Sequence, residues 1–245
     1  MVAAEMRLGL GYRSGKLSER TAMAAAVIVH TTGAGITNRY LREGTRKGDE
    51  TPFDTANRVY QRIMQASAHY VVGQLGECSQ TVPESHIAWH VGSGGTAPYF
   101  RSSWVPRWQR DRYAWWGARW RGLASPLDLA GSDLYRPMPD ASSRAYRRGA
   151  VNPNTIGIEV VPPLADPQSE WSDACWETLT ALVIDICARN AIPVQRTHVL
   201  THSDAHPLSR TTRKGAPWDP GPMQWTWRKF ASHARSHVPE IGASA

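Results

Sequence analysis

Residues 24–31, AAAVIVHT, form a near-continuous apolar run that ends in a histidine and a threonine. So short and so apolar a run reads as a strand buried on both faces, the kind found where helices cover each side of a sheet. Residues 155–161, TIGIEVV, read as a second such strand with one acid inside it. Ala68–Val72, Ile87–Val91 and Val194–Leu200 read as further strands. Between them, residues 54–66 place Val59, Ile63 and Ala66 at spacings of three and four, a short amphipathic helix. Ser172 is an N-cap candidate for a helix whose Trp176, Leu179, Val183 and Ile186 share one face and which stops before Pro193. Residues 223–238 read as a closing helix. Strands and helices alternate, so the expected class is α/β, with a mixed central β-sheet flanked by helices.

The chain has 245 residues, enough for one large domain carrying a sizeable insertion. The expected organisation is a single domain over 1–245 with an insertion at about 93–150. That insertion is rich in Gly, Pro, Ser, Arg and aromatics, and its centre, RSSWVPRWQRDRYAWWGARWRG, interleaves five tryptophans with six arginines. It reads as a small aromatic subdomain, as a surface where tryptophans stack on sugars and arginines hold carboxylates, or as a nucleic-acid surface.

No stretch approaches the roughly 20 apolar residues of a membrane span, so no membrane insertion is expected. Three scattered cysteines exclude a disulfide framework and a Cys-rich zinc module. The net charge of +7 favours a polyanionic partner but does not choose among nucleic acid, anionic lipid and cell-wall polymer. The first twenty residues lack the sustained apolar core of a signal peptide. The expectation is synthesis in the cytoplasm without a cleavable signal.

Three polar groups stand at or beyond strand ends. His30 closes the first strand, His202 follows the last, and Asp219 lies in an Asp-Pro-Gly-Pro turn. Two imidazoles and a carboxylate can make a three-point zinc site that leaves a fourth position for water. Glu159, among Ile158, Val160 and Val161, is costly to ionise in apolar surroundings unless it faces a polar site, where it could serve as a general base. Each residue also has an ordinary structural reading: a hydrogen-bonded histidine, a solvent-facing glutamate, a turn-forming aspartate. Spacing alone does not decide between them. His198 is four residues before His202, but in a strand-to-loop stretch, and reads as structural.

Four ordered blocks tip the balance. VIVHTT (27–32), SAHYVV with AWHVG (67–72 and 88–92), NPNTIGIEVV (152–161), and HSDAHP with RKGAPWDPGP (202–207 and 213–222) together resemble the type 2 N-acetylmuramoyl-L-alanine amidase family. That family includes phage lysins, bacterial wall-recycling amidases and peptidoglycan recognition proteins. The resemblance covers about 24–92 and 151–230. It implies a mixed sheet flanked by helices and one zinc ion (Zn2+) in an open groove, held by His30, His202 and Asp219. It carries Glu159 over as the acid/base residue of the bacterial branch. Ala68 stands where some phage and animal members have an important tyrosine, and Asp219 where some have a cysteine; both departures point to that branch.

The implied reaction is hydrolysis of the amide between the lactyl group of N-acetylmuramic acid and the L-alanine of the stem peptide. A lysine two residues before the aspartate ligand is common in the family. Here that position is Pro217, and Lys214, five before Asp219, is the oxyanion candidate, with His206 and Arg213 as further donors. His69, Trp89, His90 and Asn152 also fall in the blocks. His69 reads as packing near the site, Trp89 and His90 as shaping the groove, and Asn152 as fixing the turn before the Glu159 strand. Bacterial peptidoglycan is the implied partner, approached by a monomer after release or delivery to the wall. A phage-type lysin, an injected antibacterial amidase and a cytosolic recycling amidase all fit, as does a non-catalytic wall-binding module. Nucleic acid ranks last, because the amidase blocks already account for a polyanionic partner.

Overall fold

The first apolar run does become a buried strand. In the computed structural model, which describes residues 7–8, 18–32, 50–61, 67–91, 151–205, 219–221 and 223–237, Ala26–Thr31 form β2, buried at every position. The other strands are β1 (Arg7–Leu8), β3 (Tyr70–Val72), β4 (Cys78–Gln80), β5 (Thr155–Val160) and β6 (Val199–Thr201). They form one six-stranded sheet in the order β1-β4-β3-β5-β2-β6. The β3–β4 pair is antiparallel and the other pairs are parallel. The sheet is therefore mixed, and β2 lies between β5 and β6, as its apolar sequence requires.

Helices cover both faces. On one, α2 (Asp173–Arg189) and α4 (Trp227–Ala234) bury Trp176, Leu179, Val183, Ile186, Phe230 and Ala234 against Val27 and Val29 of β2 and Ile156, Ile158 and Val160 of β5. Each such apolar side chain contributes roughly 1.5–3 kcal/mol on full burial, so this face anchors the fold. On the other, α1 (Pro52–Gln61) packs Phe53, Ala56 and Tyr60 against Ala68, Val71 and Val161.

Local capping explains where the helices begin. Ser172 accepts from the Cys175 amide, as its N-cap reading predicts. α1 starts earlier than its periodicity suggests, because Thr51 and Asp54 cap one another: Asp54 N–H donates to Thr51 Oγ1, and Thr51 N–H to Asp54 Oδ2.

Three expectations need correction. Ile87–Val91 is not a strand; only His86 makes an isolated bridge, to Glu19. Its backbone is tied by scattered bonds instead: Ile87 N–H to the Ser18 carbonyl, Trp89 N–H to Ser67 Oγ with Ser67 N–H returning to the Trp89 carbonyl, and Val91 N–H to Asn152 Oδ1. The last strand is Val199–Thr201 rather than Val194–Leu200, since the chain turns after Pro193 and the His198 and Val199 amides both donate to the Gln195 carbonyl. The stretch after it, expected as loop, opens with a helical turn, α3 (His202–Ala205). β4 went unanticipated because Cys-Ser-Gln carries no apolar alternation. The Trp/Arg insertion at 93–150, and the positions of His206, Arg213 and Lys214, lie outside the described residues.

Candidate metal centre

Strand alternation sorts the residues of β2 and β5 between the two faces. Val27, Val29, Ile156, Ile158 and Val160 point into the α2–α4 core. Ile28, His30, Gly157 and Glu159 therefore project from the opposite face. His30 and Glu159 are in direct register across the β2–β5 pair, so the two stand side by side there. His30 is fully buried and Glu159 is 7% exposed.

His202 arrives from the neighbouring strand. β6 pairs with β2 up to Val29–Thr201, and α3 begins at the next residue. That turn is locked by Asp204, whose Oδ2 accepts from Thr201 N–H at 2.8 Å while its own amide donates to Thr201 Oγ1. Arg196 grips both Asp204 oxygens at 3.0 and 2.9 Å, and the pair is almost wholly buried. Asp219 comes from far along the chain. Its Oδ1 accepts from Thr31 N–H at 2.7 Å, next to His30, so Oδ2 is turned toward the imidazoles. Gln224 fixes the turn behind it, accepting from Gly221 N–H and donating to the Pro167 carbonyl.

Three atoms thus converge: His30 Nδ1, His202 Nδ1 and Asp219 Oδ2. Their separations are 3.1 Å between the nitrogens, 2.9 Å from His202 to Asp219 and 3.5 Å from His30 to Asp219. Ligands about 2.0–2.1 Å from a tetrahedral zinc stand about 3.3 Å apart. The observed triangle has that size, and its donor set of two imidazoles and one carboxylate suits a divalent ion. Burial alone would raise the Asp219 carboxyl. The adjacent His30, and after it His202, outweigh it and hold that carboxyl well below the usual carboxylate range. The carboxylate is thus ionised at neutral pH, as a metal ligand must be.

Behind the triangle lies a second set of polar groups. His30 Nε2 meets His90 Nδ1 at 2.9 Å, and His90 Nε2 meets Thr155 Oγ1 at 3.1 Å. His90 is buried, and burial together with His30, His69, His202 and Arg20 holds its imidazole neutral well below the ordinary histidine range. Its ring lies over Gly157, where a Cβ would come within 2.7 Å of three ring atoms. His69 is fully buried, accepts from Gly157 N–H at Nδ1 and meets the His86 carbonyl at Nε2. Burial and the nearby Arg20 push its pKa down to about 3. Asn152 is buried and holds the Val91 amide, one residue beyond His90. Trp89, by contrast, is 38% exposed.

The structure therefore brings His30, His202 and Asp219 together. It sets Glu159 beside His30 and places His90, His69 and Asn152 as buried supports around them. Sequence reading missed several of these contributors. Arg20 donates to the carbonyls of Glu84, Pro153, Thr155 and His86, tying both segments that carry the supports, yet it sits in what reads as a polar lead-in. Thr155, Arg196 and Asp204 gave no signal either. Gly157 did carry one, since a glycine inside a strand marks a close approach.

The described residues thus set a buried two-histidine, one-aspartate cluster that could hold a metal ion at the strand ends of an α/β sheet. A sequence profile of the N-acetylmuramoyl-L-alanine amidase family matches residues 20–222, so the chain belongs to that family. No curated protein matches it in sequence. Among solved structures it is similar to an AmpD derivative (18% identity, TM-score 0.46, 95% of each chain covered). It is also similar to the E. coli amidase AmiD in complex with an anhydro-N-acetylmuramic acid peptide (18%, 0.45, 88% of this chain and 60% of that one). A third is the Ph2119 endolysin of a Thermus scotoductus bacteriophage (14%, 0.40, 91% and 92%).

Proposed function

We propose that this chain is a zinc-dependent peptidoglycan hydrolase that cleaves the amide between the lactyl group of N-acetylmuramic acid and the L-alanine of the stem peptide. The observation that carries the reading is the convergence of His30 Nδ1, His202 Nδ1 and Asp219 Oδ2 within one ligand triangle, with Glu159 on the adjacent strand. His30, His202 and Asp219 would hold the ion, and a zinc ion bound there would supply Lewis acidity to a water molecule and to the scissile carbonyl.

Glu159 moves the protons. Its carboxylate takes a proton from the attacking water as the new C–O bond forms. It then gives that proton to the alanine nitrogen as the C–N bond breaks; the second water proton leaves the new carboxyl group for the amine, so the products are a lactyl carboxylate and an alanine ammonium. In this reading Lys214 is assigned as the oxyanion donor and His206 as a substrate contact, both by the family resemblance alone. Trp89, the exposed aromatic next to the buried His90, offers a face for a sugar ring. His69, His90 and Asn152 support the groove from behind. The net charge of +7 favours action on whole anionic walls, as in a phage-type lysin. Among the described residues no helix is long and apolar enough to cross a membrane.

Purified protein incubated with muropeptides, with and without a chelator, tests the proposal. Stem peptides with a free N-terminal alanine appear when zinc is present and cease when it is stripped. Intact muropeptides in the presence of zinc overturn it.

A further inference from the structure

A histidine ligates a metal through one nitrogen only when its proton sits on the other. For a ligating histidine that choice is usually fixed by a carboxylate or a carbonyl, groups that only accept. Among the described residues His30 has no such partner at Nε2. Its partner is His90 Nδ1, 2.9 Å away, and an imidazole nitrogen can either donate or accept. What orders the His30 proton is therefore whatever orders His90.

The hydrogen bonds continue in one line. His90 Nε2 lies 3.1 Å from Thr155 Oγ1, and Thr155 Oγ1 lies 3.0 Å from the Val151 carbonyl. A carbonyl cannot donate. The three contacts hold a proton each in only one arrangement. Thr155 O–H donates to Val151, His90 Nε2–H donates to Thr155, and His30 Nε2–H donates to His90. In the reverse order Thr155 would donate to His90, and the contact with Val151 would become two oxygens 3.0 Å apart with no proton between them. The Val151 carbonyl also accepts from Asn154 N–H, which uses its second lone pair and leaves room for the hydroxyl.

We infer that Val151, Thr155 and His90 form a one-way hydrogen-bond relay that keeps the proton of His30 on Nε2 and its Nδ1 lone pair bare, aimed at His202 and Asp219. His90 and Thr155 are positioning residues in this scheme. They touch neither metal nor substrate and act through His30. Contacts from three neighbours hold them in place. Gly157 makes the slot in which the His90 ring lies. Asn152 holds the Val91 amide. Arg20 holds the carbonyls of Pro153 and Thr155 at 2.5 and 2.9 Å.

The relay rests on the metal reading for its purpose, but its proton order does not need a metal to be observed. Long-range 1H–15N correlation spectra of histidine-labelled, zinc-free protein read each tautomer directly. His30 and His90 are both expected as Nε2–H forms; a proton on Nδ1 of His30 overturns the inference. Thr155→Val, which keeps the shape and removes the hydroxyl, is expected to bind zinc about 10–100-fold more weakly in competition with a chromophoric chelator. Thr155→Ser is expected to restore affinity. A folded Thr155→Val protein with unchanged zinc affinity also overturns the inference. If Thr155→Val does not fold, the tautomers of the unsubstituted protein decide the matter. Failure of the unsubstituted protein to bind zinc rejects the metal reading instead, and the spectra separate the two outcomes.

Discussion

Replacing Gly157 by alanine is the sharpest probe of how this site is built. The added methyl would stand 2.6 Å from His90 Nδ1 and 2.7 Å from Cδ2, where ordinary contact begins near 3.4 Å. The imidazole must then recede by most of an ångström, because the opposing atoms belong to the backbone of β5. It cannot do so and keep its 2.9 Å bond to His30. Overpacking of this kind costs about 1–3 kcal/mol, and a buried imidazole left without its partner costs about 1–3 more. For a chain of this size each kcal/mol lowers the thermal midpoint by about 2–4 °C, so a fall of at least ~4 °C is expected. Calorimetry measures it. The specific check is a double-mutant cycle: once His90→Ala has removed the ring, the same methyl has open space and should cost far less. Strictly additive effects, or a Gly157→Ala protein melting with the unsubstituted one, would show that His90 does not occupy that slot.

Three further outcomes follow from the same geometry. Zinc at 100 times its dissociation constant should stabilise the protein by about 2.7 kcal/mol, raising the midpoint by roughly 5–11 °C over chelator-treated protein; coincident melting curves would exclude a metal bound to the folded state. Stability should fall with acidification from about pH 6.5 toward pH 3. His69 is pushed down to about 3 when folded and titrates near 6.5 when unfolded, so in that window the unfolded chain binds the extra proton, at about 1.4 kcal/mol per pH unit. His90 acts in the same direction, and equal urea midpoints at pH 7 and pH 5 would contradict both. Asp204→Asn breaks the buried pair with Arg196 and should cost about 3–5 kcal/mol, with zinc affinity falling because α3 carries His202; a variant as stable as the parent would mean that the pair does not lock the turn.

Some of this was legible in the residues themselves. An apolar run such as AVIVHT can only be satisfied between two covered faces, and a strand's strict alternation then sends His30 away from Val27 and Val29. The same alternation makes the acid of TIGIEVV a neighbour of the open face. The resemblance carried by four ordered blocks points to His30, His202, Asp219 and Glu159 from the sequence alone. Capping at Ser172 could likewise be read from one residue and its register, because helix termini are local matters.

What the chain could not disclose is everything decided between distant segments. No spacing rule places Asp219 Oδ1 on the Thr31 amide, 188 residues away in sequence. Ile87–Val91 has the composition of a strand, yet Ser18, Ser67 and Asn152 claim its amides first. Arg20 and Thr155 look like ordinary polar residues, and His90 like a groove-shaping one, until the sheet brings a carbonyl, a hydroxyl and two imidazoles into one line. Hydrophobic pattern fixes which face a side chain leaves from; only the packed structure decides which polar atom it then meets, and so which of its nitrogens keeps the proton.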